Sequence, residues 1–269
     1  MSKTILITGA TDGIGFATAK QLVAAGHHVL LHGRNTSKLD NAKQELARSN
    51  DKGQIETYVA DLSTLQEVKA LAMEIKKNHN KIDVLINNAG VYVSKQNVTD
   101  DGLDTRFVVN TVAPYLLTKL LLPILVKGSR IINLSSAAQA PLNPNDLTTT
   151  SKQSDAIVYA QSKLALTMWS ISMANTLKDN QIVVIAVNPG SMLGSKMVKE
   201  AYGVNGKDIQ IGACILSDLA LSDQYKNNSG QYFDNDSGKF ARPHPDALDT
   251  QKNQQVVNVI EAMLVNTLQ

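Results

Sequence analysis

Tyr159 and Lys163 are the two residues of this chain whose types and spacing most clearly suggest chemistry. Four positions apart on a helix, their side chains lie on one face, a turn apart. An isolated phenol has a pKa of about 10, and a neighbouring ammonium group stabilises the phenolate and lowers that pKa. Such a pair can move a proton to or from a substrate oxygen. The same spacing also occurs on amphipathic surface helices, so the interpretation depends on the rest of the chain.

A glycine-rich turn near the N-terminus has the features of a phosphate-binding site. The apolar run 4–7 predicts a buried strand, and the segment 8–15 (TGATDGIG) follows it directly. A helical pattern begins at the end of that segment. Glycines let a backbone approach a pyrophosphate, while the N–H groups and dipole of the helix favour its negative charge. A tight strand-to-helix turn would also use glycines, but the flanking elements favour dinucleotide binding.

Apolar runs alternate with helical patterns along most of the chain. The predicted strands span residues 4–7, 28–32, 55–59, 84–86, 130–134 and 182–187, with a short last strand at 230–233. The predicted helices span 14–25, 37–49, 65–77, 105–126, 156–178 and 208–221. This alternation predicts an α/β fold: a doubly wound parallel sheet of the Rossmann type, between two layers of helices.

The candidate residues would then gather at one edge of that sheet. Gly9, Asn88, Ser136 and Pro189 each follow a predicted strand. Parallel strands place their carboxyl ends along the same edge, and ligands of such folds bind where the strand order reverses. The pattern therefore predicts one site, formed by these strand ends.

The end of the second predicted strand bears on the choice of cofactor. An acidic residue there would bind the ribose 2′-hydroxyl and select NAD, but Gly33 stands at that position. Arg34 follows, and a guanidinium matches a 2′-phosphate in charge and geometry. The alternative is a solvated arginine on a loop. We therefore predict NADP(H), with NAD(H) as the less favoured cofactor.

The glycine-rich turn and five further motifs, in order, make the chain resemble the short-chain dehydrogenase/reductase family. The spacing Gly-x-x-x-Gly-x-Gly in 9–15 resembles that family's cofactor turn, and 84–90 (VLINNAG) resembles its fourth strand with the turn after it. The segment 107–110 resembles the one carrying the catalytic Asn, and 130–136 resembles the strand that ends in the catalytic Ser. The Tyr159–Lys163 pair then falls in place, and 187–190 resembles the turn beside the nicotinamide. The resemblance extends from Lys3 to about Gly190.

The resemblance implies an NAD(P)-dependent enzyme acting on an alcohol or a carbonyl. Its catalytic residues would be Asn110, Ser136, Tyr159 and Lys163. Its cofactor-binding residues would be Gly9, Thr11, Asp12, Gly13, Ile14, Gly15, Arg34, Asn35, Asp61, Leu62, Asn88, Ala89, Gly90, Tyr159, Lys163, Pro189 and Gly190. Tyr159 would exchange the proton of the substrate oxygen, while Lys163 would lower the Tyr159 pKa and hold the ribose. Ser136 would donate a hydrogen bond to that oxygen, with Ser135 as the competing assignment, and Asn110 would hold a water for proton relay.

The chain departs from the family pattern in two places. Asp12 stands in the glycine-rich turn, where some NADP-preferring relatives carry a basic residue. Twenty-three positions separate Ser136 from Tyr159, because of a polar insertion at about 139–155. This insertion is similar to those of the retinol-dehydrogenase-like and protochlorophyllide-reductase-like branches, and is either a partial lid or a surface excursion. With an apolar substrate-covering region at about 191–206, it suggests a small to medium apolar aldehyde, ketone or alcohol.

Composition limits the classes of partner. The formal net charge of +2 gives no reason to expect nucleic acid or an anionic membrane. The single cysteine, Cys214, excludes an internal disulfide and is predicted to be a small core residue. No histidine pattern suggests a metal, and no targeting segment is visible. We expect one domain over 1–269, in the cytoplasm, with a small-molecule substrate.

Two other classes of function remain open. A non-catalytic NADP(H)-binding sensor would keep the glycine-rich turn, although it would lose part of the catalytic set. A nucleotide-sugar epimerase would also use Tyr-x-x-x-Lys, but with different glycine spacing and a larger C-terminal domain. The resemblance further implies a homodimer or homotetramer, joined through the helices near 110–126 and 159–178.

Overall fold

Eight strands form one sheet in the computed structural model, which describes residues 1–49, 52–94 and 96–268. They are β1 (Thr4–Ile7), β2 (His28–Gly33), β3 (Gln54–Val59), β4 (Ile82–Asn87), β5 (Leu125–Leu134), β6 (Val183–Asn188), β7 (Tyr232–Asp234) and β8 (Lys239–Ala241). Their order is β3-β2-β1-β4-β5-β6-β7-β8, and every pairing is parallel except that of β7 with β8. Strand order reverses between β1 and β4, and the predicted doubly wound fold is confirmed.

Helices cover both faces of this sheet. They are α1 (Gly13–Ala24), α2 (Thr36–Ser49), α3 (Leu65–Asn78), α4 (Thr105–Phe107), α5 (Ala113–Leu121), α6 (Asp155–Thr176), α7 (Lys196–Tyr202), α8 (Gln210–Leu221) and α9 (Thr250–Leu268). Helices α1, α2 and α8 pack on one face, and α3, α5, α6 and α9 pack on the other. In β1, Ile5 and Ile7 point into the first of these two cores and Leu6 into the second. Because both faces are covered, the strands are apolar runs rather than alternating patterns.

The predicted helix at 105–126 is not one regular α-helix. A π-helical turn over Val108–Val112 separates α4 from α5, and a 3₁₀ turn over Leu122–Ile124 ends the segment. Pro123 lacks the N–H that would continue an α-helix, so the chain leaves the helix there. Leu125 and Val126, predicted as helix, are instead the first residues of β5.

Within the described residues, one helical stretch, Thr105–Ile124, is long and apolar enough to cross a membrane by length and composition. It is 78% buried inside the fold, where its segments pack against α3 and α6. A core helix passes the same test, and the packing favours that interpretation.

Three features of the C-terminal half differ from the prediction or were not predicted. Helix α9 and strand β8 were not predicted. Cys214 is exposed rather than buried in the core, because it lies on the solvent side of α8 beside Gln21. The last residue of the predicted domain, Gln269, lies outside the described residues.

The polar insertion at 139–155 folds onto α6 and α9. Its 3₁₀ turn, Pro144–Thr148, buries Leu147 in the core, and the Pro141 carbonyl accepts a hydrogen bond of 3.0 Å from Gln161 Nε2. All of this segment is described, and none of it lines the cavity at the carboxyl edge of the sheet. The insertion thus packs against the helices of the core and does not border the described cavity.

Candidate active site

The turn between β1 and α1 has no room for side chains at two of its glycines. Gly9 has a φ of +64°, and a Cβ there would lie 2.9 Å from the Cα of Ala89. A Cβ on Gly15 would lie 2.4 Å from both Asn88 Nδ2 and the Gly9 carbonyl oxygen. Glycine is therefore required at both positions by the close approach of the turn to the end of β4.

Asn88 fixes this turn from the end of β4. Its Nδ2 donates hydrogen bonds to the carbonyl oxygens of Thr8, at 2.8 Å, and Gly9, at 3.0 Å. Asp12 then caps α1, since its Oδ1 accepts a hydrogen bond of 2.7 Å from the backbone N–H of Gly13. The acid that departs from the family pattern thus has a local structural role at the helix N-terminus.

A cavity of about 600 Å³ runs along the carboxyl edge of the sheet, from the end of β2 to Tyr159 and Lys163. Most of the predicted cofactor residues line it: Gly9, Thr11, Asp12, Gly13, Ile14, Arg34, Asn35, Asp61, Leu62, Asn88, Ala89, Gly90, Tyr159, Lys163 and Pro189. Gly15, Gly190, Ser136 and Asn110 are described but do not line it. The structure thus brings the two halves of the predicted site into one continuous space of a size typical for ligand pockets.

The end of β2 is followed by a basic residue, Arg34, and has no room for an acidic side chain at Gly33. A Cβ on Gly33 would lie 2.6 Å from Thr11 Cγ2 and 3.0 Å from Leu39 Cδ1, so a larger side chain would not fit without movement. Arg34 lines the cavity, and so does Lys38, whose backbone N–H donates a 2.9 Å hydrogen bond to Asn35 Oδ1. Lys38 was not among the predicted cofactor-binding residues, although the sequence shows a second cation four residues after Arg34.

His32 joins the glycine-rich turn to the end of β3, and sequence reasoning missed it. It is 2% exposed, its Nδ1 accepts a hydrogen bond of 3.3 Å from the Gly9 N–H, and its Nε2 lies 3.0 Å from the Ala60 carbonyl oxygen. Both contacts are satisfied by the neutral ring with its proton on Nε2. Burial lowers the pKa of His32 to about 4.

This buried histidine predicts a loss of stability in acid. Its pKa is about 6.5 in the unfolded chain and about 4 in the folded protein, so between those values the unfolded chain binds the extra proton. The free energy of unfolding should therefore fall as the pH falls through that window. Urea denaturation at pH 7.5 and pH 5 should show His32→Gln losing about 2 kcal/mol less than the wild type.

His244→Gln is the matched control, since the side chain of His244 is 22% exposed. This variant should keep the full pH dependence of the wild type. Parallel pH dependences for the wild type and His32→Gln would contradict the prediction.

Tyr159 and Lys163 lie together on α6, at the inner end of the cavity. Lys163 Nζ is 5.6 Å from the centroid of the Tyr159 ring and donates a 2.7 Å hydrogen bond to the Leu134 carbonyl oxygen. Burial raises the pKa of Tyr159 to about 12, opposed by a hydrogen bond with Ser136, and burial lowers the pKa of Lys163 to about 8. The Tyr159 pKa is thus raised where the sequence predicted a lower one, because desolvation of the phenolate outweighs the hydrogen bond with Ser136.

The two serines that end β5 have different surroundings. Ser135 is 3% exposed, and its Oγ lies 2.6 Å from Thr167 Oγ1 on α6. Ser136 lies close enough to Tyr159 for its hydroxyl to oppose the rise of the Tyr159 pKa, and its Oγ accepts a 3.1 Å hydrogen bond from the Ala138 N–H. Ser136 thus acts on the Tyr159 hydroxyl, whereas Ser135 is the serine that lines the cavity.

Asn110 lies in the π-helical turn between α4 and α5, a kind of irregularity often found at functional sites. Its Oδ1 accepts a 2.8 Å hydrogen bond from the Val91 N–H, and its Nδ2 donates to the Val91 carbonyl at 2.8 Å and to Ser162 Oγ at 2.9 Å. A Cβ on Gly90 would lie 3.3 Å from Lys163 Nζ and 3.4 Å from Asn110 Oδ1. Asn110 therefore stands next to Lys163, with Gly90 between them.

A cluster of aromatic residues stands beside Tyr159, and it was not among the predicted site residues. The ring centroid of Tyr92 lies 4.9 Å from that of Tyr159 and 5.6 Å from that of Tyr202, at the end of α7. Helix α7 has no buried residue, and its Lys196, Met197 and Glu200 line the cavity. The region predicted at 191–206 thus borders the cavity next to Tyr159.

Comparison with known proteins agrees with this geometry. The family model for short chain dehydrogenases matches residues 3–203. Retinol dehydrogenase 13 of Mus musculus is 31% identical over 266 residues, covering 92% of this chain and 79% of that protein. The chain belongs to the short-chain dehydrogenase/reductase family. It is therefore an oxidoreductase, and its relatives place it near the retinol dehydrogenases, as the sequence predicted.

Two solved structures share the fold over most of the chain. A protein of Mycobacterium paratuberculosis has a TM-score of 0.80 at 26% identity, covering 97% of this chain and 92% of that one. The angucycline C-6 ketoreductase LanV with bound NADP has a TM-score of 0.70 at 26% identity, covering 87% and 93%. The doubly wound sheet and its helices are therefore those of the family.

Proposed function

We propose that this enzyme uses NADP(H) to interconvert an alcohol and a carbonyl on a small to medium apolar substrate. The observation that carries the proposal is one continuous cavity whose two ends differ in chemistry. Arg34 and Lys38 stand at one end, and Tyr159 and Lys163 stand at the other. A dinucleotide with a 2′-phosphate matches the first end, and proton exchange with a substrate oxygen suits the second.

The residues present fit the dinucleotide. The glycine-rich turn packs closely on Asn88, so its glycines present backbone rather than side chains at the N-terminus of α1. A helix N-terminus of this kind favours a pyrophosphate. Arg34 and Lys38 are exposed cations that line the cavity. The neighbouring position 33 is a glycine, so no acidic side chain stands beside them. The solved LanV structure, which contains NADP, is consistent with this choice.

The catalytic step can be assigned to four side chains. When bound, the cofactor would supply or accept a hydride at C4 of its nicotinamide. Tyr159, protonated at neutral pH because its pKa is about 12, would give its proton to a carbonyl oxygen during reduction. Lys163, largely charged at pH 7 with a pKa of about 8, would stabilise the phenolate that results. Ser136 would hold the substrate oxygen, and Asn110 would place a water beside Lys163 for proton relay.

The substrate side of the cavity is mainly apolar. Tyr92, Val93, Val109 and Met197 line it near Tyr159. Rings and a flexible thioether of this kind suit an apolar molecule of variable shape. The relative named retinol dehydrogenase acts, by its name, on an apolar alcohol, which supports the same substrate class.

Arg34→Ala tests the cofactor assignment. Loss of a charge-assisted contact to a 2′-phosphate should raise the Kd for NADPH by about 10- to 100-fold, while the Kd for NADH should change less than about twofold. Fluorescence titration of both cofactors gives these constants. Lys38→Ala should have the same selectivity with a smaller effect, because an ammonium group lacks the bidentate geometry of a guanidinium.

Lys20→Ala is the matched control, since Lys20 is an exposed cation of α1 that does not line the cavity. Equal losses of NADPH and NADH affinity in Arg34→Ala would contradict the 2′-phosphate contact and leave the family assignment intact.

Turnover separates the enzyme from a non-catalytic sensor. Oxidation of NADPH should be followed with a panel of apolar aldehydes, ketones and quinones. Turnover with any of them supports the proposal, whereas tight NADPH binding without turnover across the panel favours the sensor. The expectations of a cytoplasmic location and a homodimer or homotetramer belong to the same proposal, and cell fractionation and sedimentation velocity test them.

A further inference from the structure

Two histidines and a glutamate lie together far from the candidate active site. His28 is the first residue of β2, Glu56 lies on β3, and His79 directly follows α3. Strands β2 and β3 pair in register, with Leu30 opposite Glu56, so His28 and Glu56 lie on the same face of the sheet. Helix α3 packs on that face and brings His79 over both of them. Three elements distant in sequence thus meet at one point.

The donor atoms of this cluster are already close to the spacing that a metal ion imposes. Glu56 lies between the two rings, with Oε1 2.9 Å from His28 Nε2 and Oε2 3.2 Å from His79 Nε2. One donor atom from each residue lies within 4.8 Å of the other two. A tetrahedral zinc ion with bonds of about 2.0–2.1 Å holds its ligand atoms roughly 3.3 Å apart. Small movements would therefore complete the coordination.

Hydrogen bonding does not account for the whole cluster. The Tyr58 hydroxyl lies 2.8 Å from His79 Nε2 and donates to Glu56 Oε2 at 3.0 Å, so that side is satisfied. His28 Nε2 is buried and has no hydrogen-bond partner in the part of the chain that is described, although Glu56 Oε1 is 2.9 Å away. Buried polar atoms in native proteins usually form hydrogen bonds, so a buried nitrogen that faces a carboxylate oxygen at 2.9 Å without forming one is placed to share an ion with it.

Burial and access also suit an ion site. The side chains of His28 and His79 are 17% and 11% exposed, while that of Glu56 is 42% exposed. The two imidazoles are thus held by the fold, and the carboxylate leaves a route from solvent. Two imidazole nitrogens and one carboxylate oxygen form a ligand set typical of zinc, whereas calcium and magnesium prefer oxygen ligands alone.

We propose that His28, Glu56 and His79 bind one divalent transition-metal ion, with zinc as the ion of choice. A water would complete the coordination, close to the Tyr58 hydroxyl. The site is separate from the cavity: His32, which lines the cavity, lies four residues further along β2, or about 13 Å. Its effect is to join β2, the edge strand β3 and the end of α3, so that the bound ion stabilises the folded protein.

The experiment uses tag-free protein stripped of metal with a chelator, in a Cys214→Ser background because the thiol of Cys214 is exposed. Calorimetric titration with zinc chloride should give one ion per chain. Saturating zinc should raise the midpoint of thermal unfolding by about 5 °C, and magnesium chloride should leave it unchanged.

Glu56→Gln and His79→Gln should each lower the zinc affinity at least 10-fold and abolish most of the thermal shift. His27→Gln, which replaces the neighbouring histidine outside the cluster, should keep both. If a cluster variant folds poorly, cobalt titration of the wild type gives a second measurement. The visible spectrum of a four-coordinate nitrogen–oxygen site supports the proposal, and that of free aqueous cobalt contradicts it. Absence of stoichiometric zinc binding to the wild type, or equal losses in His27→Gln and His79→Gln, would overturn it.

Discussion

Tyr159→Phe is expected to lower kcat by about 10²–10⁴-fold, the range that positioned proton transfer contributes. The variant keeps the ring that packs against Tyr92 and removes only the hydroxyl beside Ser136. The Kd for NADPH should change less than about threefold, because the Arg34 end of the cavity is untouched. Stopped-flow and steady-state measurements of NADPH oxidation, with the best substrate of the panel, give both quantities.

Tyr225→Phe is a matched control for this loss. Its hydroxyl hydrogen-bonds with Asp218 at 3.0 Å, outside the cavity, so kcat should stay within about twofold of the wild type. A Tyr159→Phe enzyme that keeps more than a tenth of the wild-type kcat would move the proton donor to another group. Loss of NADPH binding in the same variant would instead indicate that the hydroxyl holds the cofactor.

The direction of the Tyr159 pKa shift shows how far spacing alone can predict chemistry. Helical spacing placed Tyr159 and Lys163 on the same face, and the structure brings them together. The spacing could not predict that the phenol is so desolvated that its pKa rises to about 12. Burial is the largest cause of this shift, and burial is a property of the packed cavity that residue spacing does not show.

The parallel sheet was predictable because its strands are short apolar runs separated by helical patterns. The glycine-rich turn was predictable for a similar reason, since Gly9 and Gly15 have steric roles that glycine alone fills. Helix α9 was missed although Val256, Ile260 and Met263 recur on one helical face, so the signal was present in the sequence. Strand β8 has only three residues and gave no such pattern.

The cluster of His28, Glu56 and His79 could not be predicted from the sequence, for a different reason. Its three residues come from positions 28, 56 and 79, and none lies at a helical or loop spacing typical of metal ligands. Residue spacing in the sequence therefore predicts no metal site. The pairing of β2 with β3, and the packing of α3 over them, create the proximity.

Replacement of Arg106 is also expected to have a large effect on stability, because this residue helps to hold α6, the helix that carries Tyr159 and Lys163. Its guanidinium is 2% exposed and forms an ion pair of 2.6 Å with Asp104, which is 1% exposed. It also pairs with Asp155, the first residue of α6 and four residues before Tyr159. The pairs tie the segment that carries Asn110 to the helix that carries Tyr159.

Arg106→Met should lower the free energy of unfolding by about 3–5 kcal/mol, because it leaves the Asp104 carboxylate buried without its partner. Urea denaturation at pH 7.5 measures this loss. Glu200→Gln is the control, since its pair with Lys196 is exposed at both ends and should contribute less than about 0.5 kcal/mol.

The double variant Asp104→Asn/Arg106→Met separates a buried charge from lost packing. Asparagine can still cap α4 as Asp104 does, but it carries no charge to be left unpaired. If the unpaired carboxylate causes the loss, the double variant should be more stable than Arg106→Met alone by about 1–3 kcal/mol. Equal stability of the two variants would assign the loss to the packing of the arginine side chain. A kcat that falls in Arg106→Met while NADPH affinity is kept, and stays low in the double variant, which also lacks the ion pairs of Arg106, would show that these pairs position Tyr159.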